Sequence, residues 1–168
     1  LMAMGGMLAL ILLLLFLLQG VSSASHPKSG GLTIKLAFLF MGVAFMLLET
    51  KSIIQYSLLF GTSWFNASLV FLAVLVAVLA ANWTATVVPR TWLNAVFVVL
   101  LLSCLLPFAL PLAGLLEQEN GFIRFILASL ITFCPIFFAN LVFSILFRQQ
   151  NAPEHIFGWN IIGATLGG

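Results

Sequence analysis

Charged side chains are what this sequence lacks most. Its 168 residues include six basic and four acidic ones, so charged residues make up 6% of the chain. A typical soluble domain has roughly a quarter, because its surface must be wetted by water. With hydrophobic residues at 63% and a mean hydropathy of +1.25, this chain cannot cover a globule with polar groups. We therefore expect the lipid bilayer to be the solvent for most of it.

Other absences narrow the range of functions. A net charge of +2 and the lack of any basic run argue against a nucleic-acid partner. The two cysteines, Cys104 and Cys134, lie in apolar runs, unlike the framework of a disulfide-rich domain. The sequence contains no zinc-binding spacing, Ser/His/Asp set or Rossmann fingerprint. We therefore expect no catalytic residue, metal or cofactor in this piece, which leaves open whether the whole protein is an enzyme.

Long apolar segments are what the sequence has instead. A membrane-spanning helix needs about 17 to 25 mostly apolar residues. Five segments qualify, and a sixth begins near the end of the chain: 5–21, 36–59, 65–81, 92–116, 122–147 and 156–168. The predicted fold is an all-α, polytopic transmembrane helical bundle that forms one domain over residues 1–168. Each tryptophan falls at a segment end, as an interfacial aromatic belt predicts: Trp64, Trp83, Trp92 and Trp159.

The two ends of the chain suggest a piece of a longer protein. The sequence begins at Leu1 rather than Met and stops at Gly168 inside an apolar pattern. Residues 20–24, which follow the first apolar segment, resemble a signal-peptide cleavage region. No basic residue precedes that segment, and the charges of the later loops argue against cleavage. We favour a first spanning helix and keep a cleaved signal as the alternative.

The basic residues predict how the segments are oriented. The loops on one side of the membrane, with their helix ends, carry Lys28, Lys35, Arg90 and Arg148, whereas the other side has only Arg124 nearby. Basic residues are enriched in cytoplasmic loops. We therefore expect a multi-pass protein of the cell membrane, with the loops of Lys28, Arg90 and Arg148 in the cytoplasm.

The second segment contains the most notable polar residues: Glu49, Lys51, Ser52, Gln55 and Tyr56. Helical spacing places Glu49, Ser52 and Tyr56 on one stripe and puts Lys51 and Gln55 on another. Glu49 and Lys51 point to nearly opposite sides and are poor partners for each other. A charge at the centre of a spanning helix costs roughly 2.5 to 3.5 kcal/mol on insertion scales. Each therefore needs a partner elsewhere, which predicts a polar seam through the bundle.

Two interpretations of this seam follow. Glu49 lies 14 residues beyond Lys35, or about 21 Å along a helix, which is past the midplane of a hydrocarbon core about 30 Å thick. The functional interpretation is a substrate or proton site at this depth. The structural one is a hydrogen-bonded polar cluster that holds helices together.

Prolines and glycines mark special positions in the later segments. Pro107, Pro111 and Pro135 each remove a backbone donor, which predicts a kink or break. Broken helices line cavities in transporters, although prolines are also simply common in membrane helices. Gly163 and Gly167 form a GxxxG pair, which lets helices approach closely.

Three stretches carry a resemblance to a known family. Residues 45–51 read FMLLETK, residues 58–64 read LLFGTSW, and residues 157–168 read FGWNIIGATLGG. They resemble the membrane part of bacterial spermidine-synthase-like integral membrane proteins, in which major-facilitator-like helices occur with an aminopropyltransferase- or methyltransferase-like domain. The chain departs from that family at Lys51, where an apolar residue is often found.

The resemblance implies a soluble Rossmann-like domain elsewhere in the same protein, which would bind an adenosyl-type cofactor. Two function classes follow from the sequence and the resemblance together. One is a transporter-like membrane module built around the polar seam. The other is a membrane anchor or regulatory domain of a polyamine-synthase-like or methyltransferase-like enzyme whose active site lies outside this piece.

Overall fold

The computed structural model describes residues 31–61, 63–109, 120–150 and 153–168. Within these ranges the chain is all-helical and contains no strand. A short 3₁₀ turn, Arg90–Trp92, precedes the third of five α-helices, which are α1 (Gly31–Phe60), α2 (Trp64–Val87), α3 (Leu93–Ala109), α4 (Gly121–Phe147) and α5 (Pro153–Gly167). The prediction of an all-α chain is confirmed for the residues described.

Three helices are long and apolar enough to cross a membrane, judged by length and composition: Ile34–Phe60, Trp64–Val87 and Phe125–Phe147. They correspond to the predicted segments 36–59, 65–81 and 122–147. Helices α1 and α2 extend beyond their predicted segments at both ends, and α4 begins one residue before its segment.

The other predicted segments match shorter helices or lie outside the described residues. Only a shorter apolar helix, Arg90–Leu105, corresponds to the segment 92–116, and helix α3 is described as far as Ala109. The segment 156–168 falls within α5, which has 15 residues. The predicted first span, 5–21, lies outside the described residues.

The corner between α1 and α2 is built by local hydrogen bonds. Gly61 ends α1 with φ of 86°, a conformation that glycine adopts without strain, and its N–H donates to Ser57 at 3.0 Å. Ser63 caps α2 by accepting the N–H of Asn66 at 3.2 Å. The Asn66 amide in turn donates to the carbonyls of Phe60 and Gly61, both at 2.9 Å. One asparagine thus satisfies two backbone carbonyls that the end of α1 leaves unpaired.

The described helices fall into two units. The first contains α1 as far as Leu47 together with Phe147–Gly168, and the second comprises Leu48–Leu146. Helix α1 contributes to both.

In the first unit, α1 and α5 meet backbone to backbone through glycines. A Cβ atom at Gly167 would lie 2.8 Å from the carbonyl oxygen of Val43, and one at Gly163 would collide with the carbonyl oxygen of Leu39. A Cβ at Gly42 on α1 would collide with the backbone of α5. The predicted close approach at the GxxxG pair therefore occurs against α1 of the same chain. Three aromatic rings of the same unit also pack together: Phe147 lies edge-on to Phe38 and to Phe157, at centroid distances of 6.3 and 6.1 Å.

In the second unit, α2 buries a narrow stripe and exposes a broad apolar face. Helix α2 buries only small or β-branched side chains, which are Val70, Val74, Ala81 and Ala85. Its large apolar residues are exposed instead: Phe65, Phe71, Leu72, Leu75, Val76, Leu79 and Val87. A soluble protein rarely leaves a contiguous apolar patch of this extent uncovered. The outward face of α2 therefore fits an apolar solvent.

The close contact of α1 and α5 at their glycines predicts a loss of stability that depends on which glycine is replaced. Gly163→Ala should lower the free energy of unfolding by about 1 to 3 kcal/mol, because the added methyl group must push the α1 backbone away. Gly158→Ala on the same helix is the matched control, since nothing lies within 4 Å of its Cβ position. Thermal unfolding of the purified protein, followed by its helical circular dichroism, measures both. Equal thermal midpoints for the two variants would contradict the close contact of α1 and α5 at Gly163.

Candidate functional site

Helix α1 places the predicted polar residues on and beside its buried face. Ser52 and Tyr56 are 3% and 4% exposed, respectively, whereas Glu49, Lys51 and Gln55 are half-buried. The exposed residues of this stretch form the opposite face of the helix, and all but Thr50 are apolar: Leu47, Thr50, Ile54 and Leu58. All five predicted residues therefore lie on or next to the packed side of α1.

The charged pair flanks the buried stripe from its two sides. At about 100° per residue, Glu49 and Lys51 fall on opposite edges of the stripe that contains Ser52. In the described part of the chain, no hydrogen bond or ion pair engages the Glu49 carboxylate. Lys51 lies near Cys104 of α3. The two charges therefore have separate surroundings, as their spacing predicts.

Ser52 satisfies its hydroxyl within its own helix. The hydroxyl donates to the carbonyl oxygen of Leu48 at 2.7 Å. A serine that bonds back to the preceding turn presents little polarity to a neighbouring helix. Ser52 is therefore a buried but internally paired group.

Tyr56 connects α1 to α4. Its hydroxyl is hydrogen-bonded to the hydroxyl of Ser129. Ser129 also donates to the carbonyl of Phe125 at 2.8 Å, which uses its single hydrogen. Tyr56 is therefore the donor, and the three groups form a chain that ends at a backbone carbonyl.

Aromatic rings surround this hydrogen bond. Tyr56 packs against Phe60 on its own helix and against Phe125 and Phe133 on α4, with ring centroids 5.2 to 6.2 Å apart. Such pairs contribute roughly 0.5 to 1.5 kcal/mol each beyond the area that they bury. The polar tip of Tyr56 thus reaches Ser129 from inside an apolar shell, which fixes its position.

The prolines lie in helices that continue past them. Helix α4 runs from Gly121 to Phe147 with Pro135 inside it, so the helix does not end at this residue. Helix α3 likewise continues from Pro107 to Ala109. One missing donor costs a single hydrogen bond, which the neighbouring turns outweigh in a long apolar helix. Pro111 lies outside the described residues.

Three polar residues of this unit were not singled out by the sequence. Ser129 and Thr132 stand one turn apart on α4, ahead of Pro135. Ser144 of α4 donates to the amide oxygen of Asn82 on α2, which is a hydrogen bond between two helices. The signal that could have found Ser129 and Thr132 is their spacing of three, which matches that of Glu49 and Ser52.

Within the described residues, no group of three or more His, Cys, Asp and Glu side chains is arranged to hold a metal ion. Comparisons of the chain with protein-family models, with curated proteins and with solved structures find no significant match. The residues themselves must therefore carry any functional argument.

The bond between Tyr56 and Ser129 predicts a measurable coupling. Tyr56→Phe and Ser129→Ala should each lower the free energy of unfolding by about 0.5 to 1.5 kcal/mol, and the double variant should lose less than the sum, because both remove the same bond. Ser68→Ala is the control, since the exposed Ser68 hydroxyl bonds only to its own helix, at Trp64. Denaturant or thermal unfolding of the four variants measures the cycle. Strictly additive losses would contradict the bond.

Proposed function

We propose that this chain is the helical module of an integral membrane protein of the multi-pass class. Three helices have the length and apolarity of membrane spans, and the outward faces of α1 and α2 are apolar. Trp64 and Trp83 support the proposal: they are 83% and 77% exposed, and they lie 19 positions apart in the sequence, which corresponds to about 28 Å of helix. This separation matches the roughly 30 Å between the two interfaces at which tryptophan is enriched.

The proposed orientation places the basic helix ends in the cytoplasm. Lys35 lies in the first turns of α1, Arg90 follows α2, and Arg148 follows α4. Because α1 and α2 are joined by a tight corner at Gly61 and Ser63, that corner belongs on the opposite, outer side.

Two single-cysteine substitutions test the orientation in whole cells. Ser63→Cys should react with a membrane-impermeant maleimide added outside, because the residue is exposed at the outer corner. Gln149→Cys, exposed beside Arg148, should react only after the membrane is permeabilised. The unsubstituted chain provides the background from Cys104 and Cys134. The reverse labelling pattern would invert the topology, and equal labelling of both would contradict a membrane-spanning arrangement.

For the activity of the module, we propose a transporter-like function in which α1 carries the polar seam. The observation behind this is the pair of half-buried charges, Glu49 and Lys51, in the middle of an apolar 27-residue span. Charged residues within spanning helices are costly and are found where they face a cavity, an ion or a substrate. Glu49, which no described residue pairs, is the proposed titrating group, and Gln55 with Lys51 lines the adjoining edge of the seam.

Substitution of Glu49 tests this activity directly. The whole protein is reconstituted in liposomes with an internal pH indicator, and polyamines, amino acids and inorganic ions are supplied outside in turn. Glu49→Gln should reduce cargo uptake and its pH dependence by about tenfold or more, which corresponds to about 1.4 kcal/mol of lost stabilisation. Glu154→Gln, in the exposed first turn of α5, is the control and should behave as the wild type. Wild-type uptake by Glu49→Gln at every pH would remove the titrating role.

The alternative is a membrane anchor or regulatory domain for an enzyme with an aminopropyltransferase- or methyltransferase-like domain. Two observations favour it. Ser52 and Tyr56, the most buried polar groups of α1, already have partners in the chain. Gly163 and Gly167, which belong to the stretch carrying the family resemblance, serve helix packing. Under this proposal the helices hold a soluble domain at the membrane and move nothing across it.

The coding DNA on both sides of this sequence separates the two proposals. A charge-rich segment with a glycine-rich strand-to-helix turn would favour the anchored enzyme. Further helices, ending in a second half that resembles the first, would favour the transporter.

A further inference from the structure

One buried side-chain hydroxyl of α4 has no hydrogen-bond partner, unlike the other buried side-chain polar groups that the structure describes. The hydroxyl of Thr132 is the single buried side-chain oxygen or nitrogen without a hydrogen bond in the part of the chain that the structure describes. Thr132 is 4% exposed, so bulk solvent does not reach it. A buried hydroxyl without a partner destabilises the folded state, and the net stability of a whole domain is small.

A second unpaired group lies next to it. In an α-helix the carbonyl of residue 131 accepts a hydrogen bond from the N–H of residue 135. Residue 135 is Pro135, which has no N–H. Ile131 is 5% exposed, so its carbonyl is also shielded from bulk solvent. Thr132 thus has an unpaired, shielded hydroxyl, and the carbonyl of the preceding residue lacks the N–H donor that an α-helix normally supplies.

Neighbouring side chains are already used as donors and do not fill this role. Ser129, one turn earlier on α4, gives its hydrogen to Phe125. Ser52, the buried hydroxyl of α1, gives its hydrogen to Leu48. Tyr56 donates to Ser129. The missing group must therefore both donate to a carbonyl and bond to a hydroxyl, and it must be small enough for a packed interface.

We propose that α4 binds one ordered water molecule at Pro135, held between the Thr132 hydroxyl and the Ile131 carbonyl. The water donates to the carbonyl and accepts from, or donates to, the hydroxyl, so both oxygens gain the partner that the helix cannot supply. Buried waters typically make two to four such bonds to otherwise unsatisfied groups. Ordered water is also one of the ways in which membrane helices satisfy the carbonyl that a proline frees.

A metal cation fits these two oxygens less well than water does. A hard cation such as Ca²⁺ takes about six to eight oxygen ligands, whereas the proposed site uses two oxygens of one helix turn. The water site belongs to α4 alone, and it stands whether the module transports a cargo or anchors an enzyme.

Replacement of the hydroxyl by a methyl group tests the proposal through the sign of its effect. Thr132→Val keeps the shape of the side chain. If a water is bound, the variant loses one of the bonds that hold it, and the thermal midpoint of the full chain should fall by about 2 to 4 °C. If the site is dry, the variant removes an unpaired polar group, and the midpoint should rise or stay unchanged. A rise of the midpoint, or no change in it, would overturn the proposal.

Two controls and a direct observation complete the test. Thr132→Ser retains a hydroxyl and should keep most of the midpoint that Thr132→Val loses. Thr84→Val removes a half-buried hydroxyl that bonds only to Ala80 of its own helix, at 2.7 Å, and should change the midpoint less. Replacement of Na⁺ by choline in the buffer should leave the thermal midpoint of the wild type unchanged. If Na⁺ shifted the midpoint of the wild type but not that of Thr132→Val, the site would bind a cation, and the water proposal would be overturned. Should Thr132→Val fail to fold, a high-resolution map of the wild type decides, since the absence of density between the two oxygens would overturn the water site.

Discussion

The constraint that governs this structure is that polar groups have to be satisfied within the chain. The α-helix does this for the backbone, and the hydroxyl and amide side chains largely do it for themselves by bonding back to a carbonyl of the preceding turn. This pattern recurs in every helix: Ser52, Ser68, Thr84, Ser103, Ser129, Asn140 and Thr165. Such bonds let polar residues occur in helices whose surroundings are almost wholly apolar.

A few polar residues do not bond back to their own helix, and these residues distinguish this chain from a simple bundle of apolar helices. Tyr56 is too long to reach a carbonyl of its own helix, so it crosses to Ser129 and fixes the register of α1 against α4. The Thr132 hydroxyl bonds to nothing in the described residues. Glu49 and Lys51 flank the buried stripe without pairing with each other. Packing alone requires neither charge, so their presence in a helix otherwise suited to lipid is the feature that a function must explain.

Much of the fold could be predicted from composition and apolar run length. The spans of α1, α2 and α4 follow from runs of about 20 apolar residues, which only a helix can place in lipid. The opposite placement of Glu49 and Lys51 followed from their spacing of two. The close approach at Gly163 and Gly167 followed from the absence of side chains there. These features depend on local periodicity, which a single sequence displays.

What could not be predicted depends on which helices meet. Nothing in the sequence identified Gly42 as the residue opposite the GxxxG pair, or Ser129 as the partner of Tyr56, because a partner on another helix leaves no local pattern. The sequence also left open whether Pro135 kinks or breaks its helix, and α4 continues past it to Phe147.

The depth of α1 in a bilayer tests the central claim most directly. Nitroxide labels at Leu47 and Ile54, on the exposed face of α1 near Glu49, should collide readily with oxygen and little with a water-soluble nickel complex. A label at Gln149 in the same reconstituted protein should show the opposite preference. If the nickel complex reached Leu47 and Ile54 as readily as Gln149, α1 would lie in water, and the account of its charged residues as an intramembrane site would be contradicted.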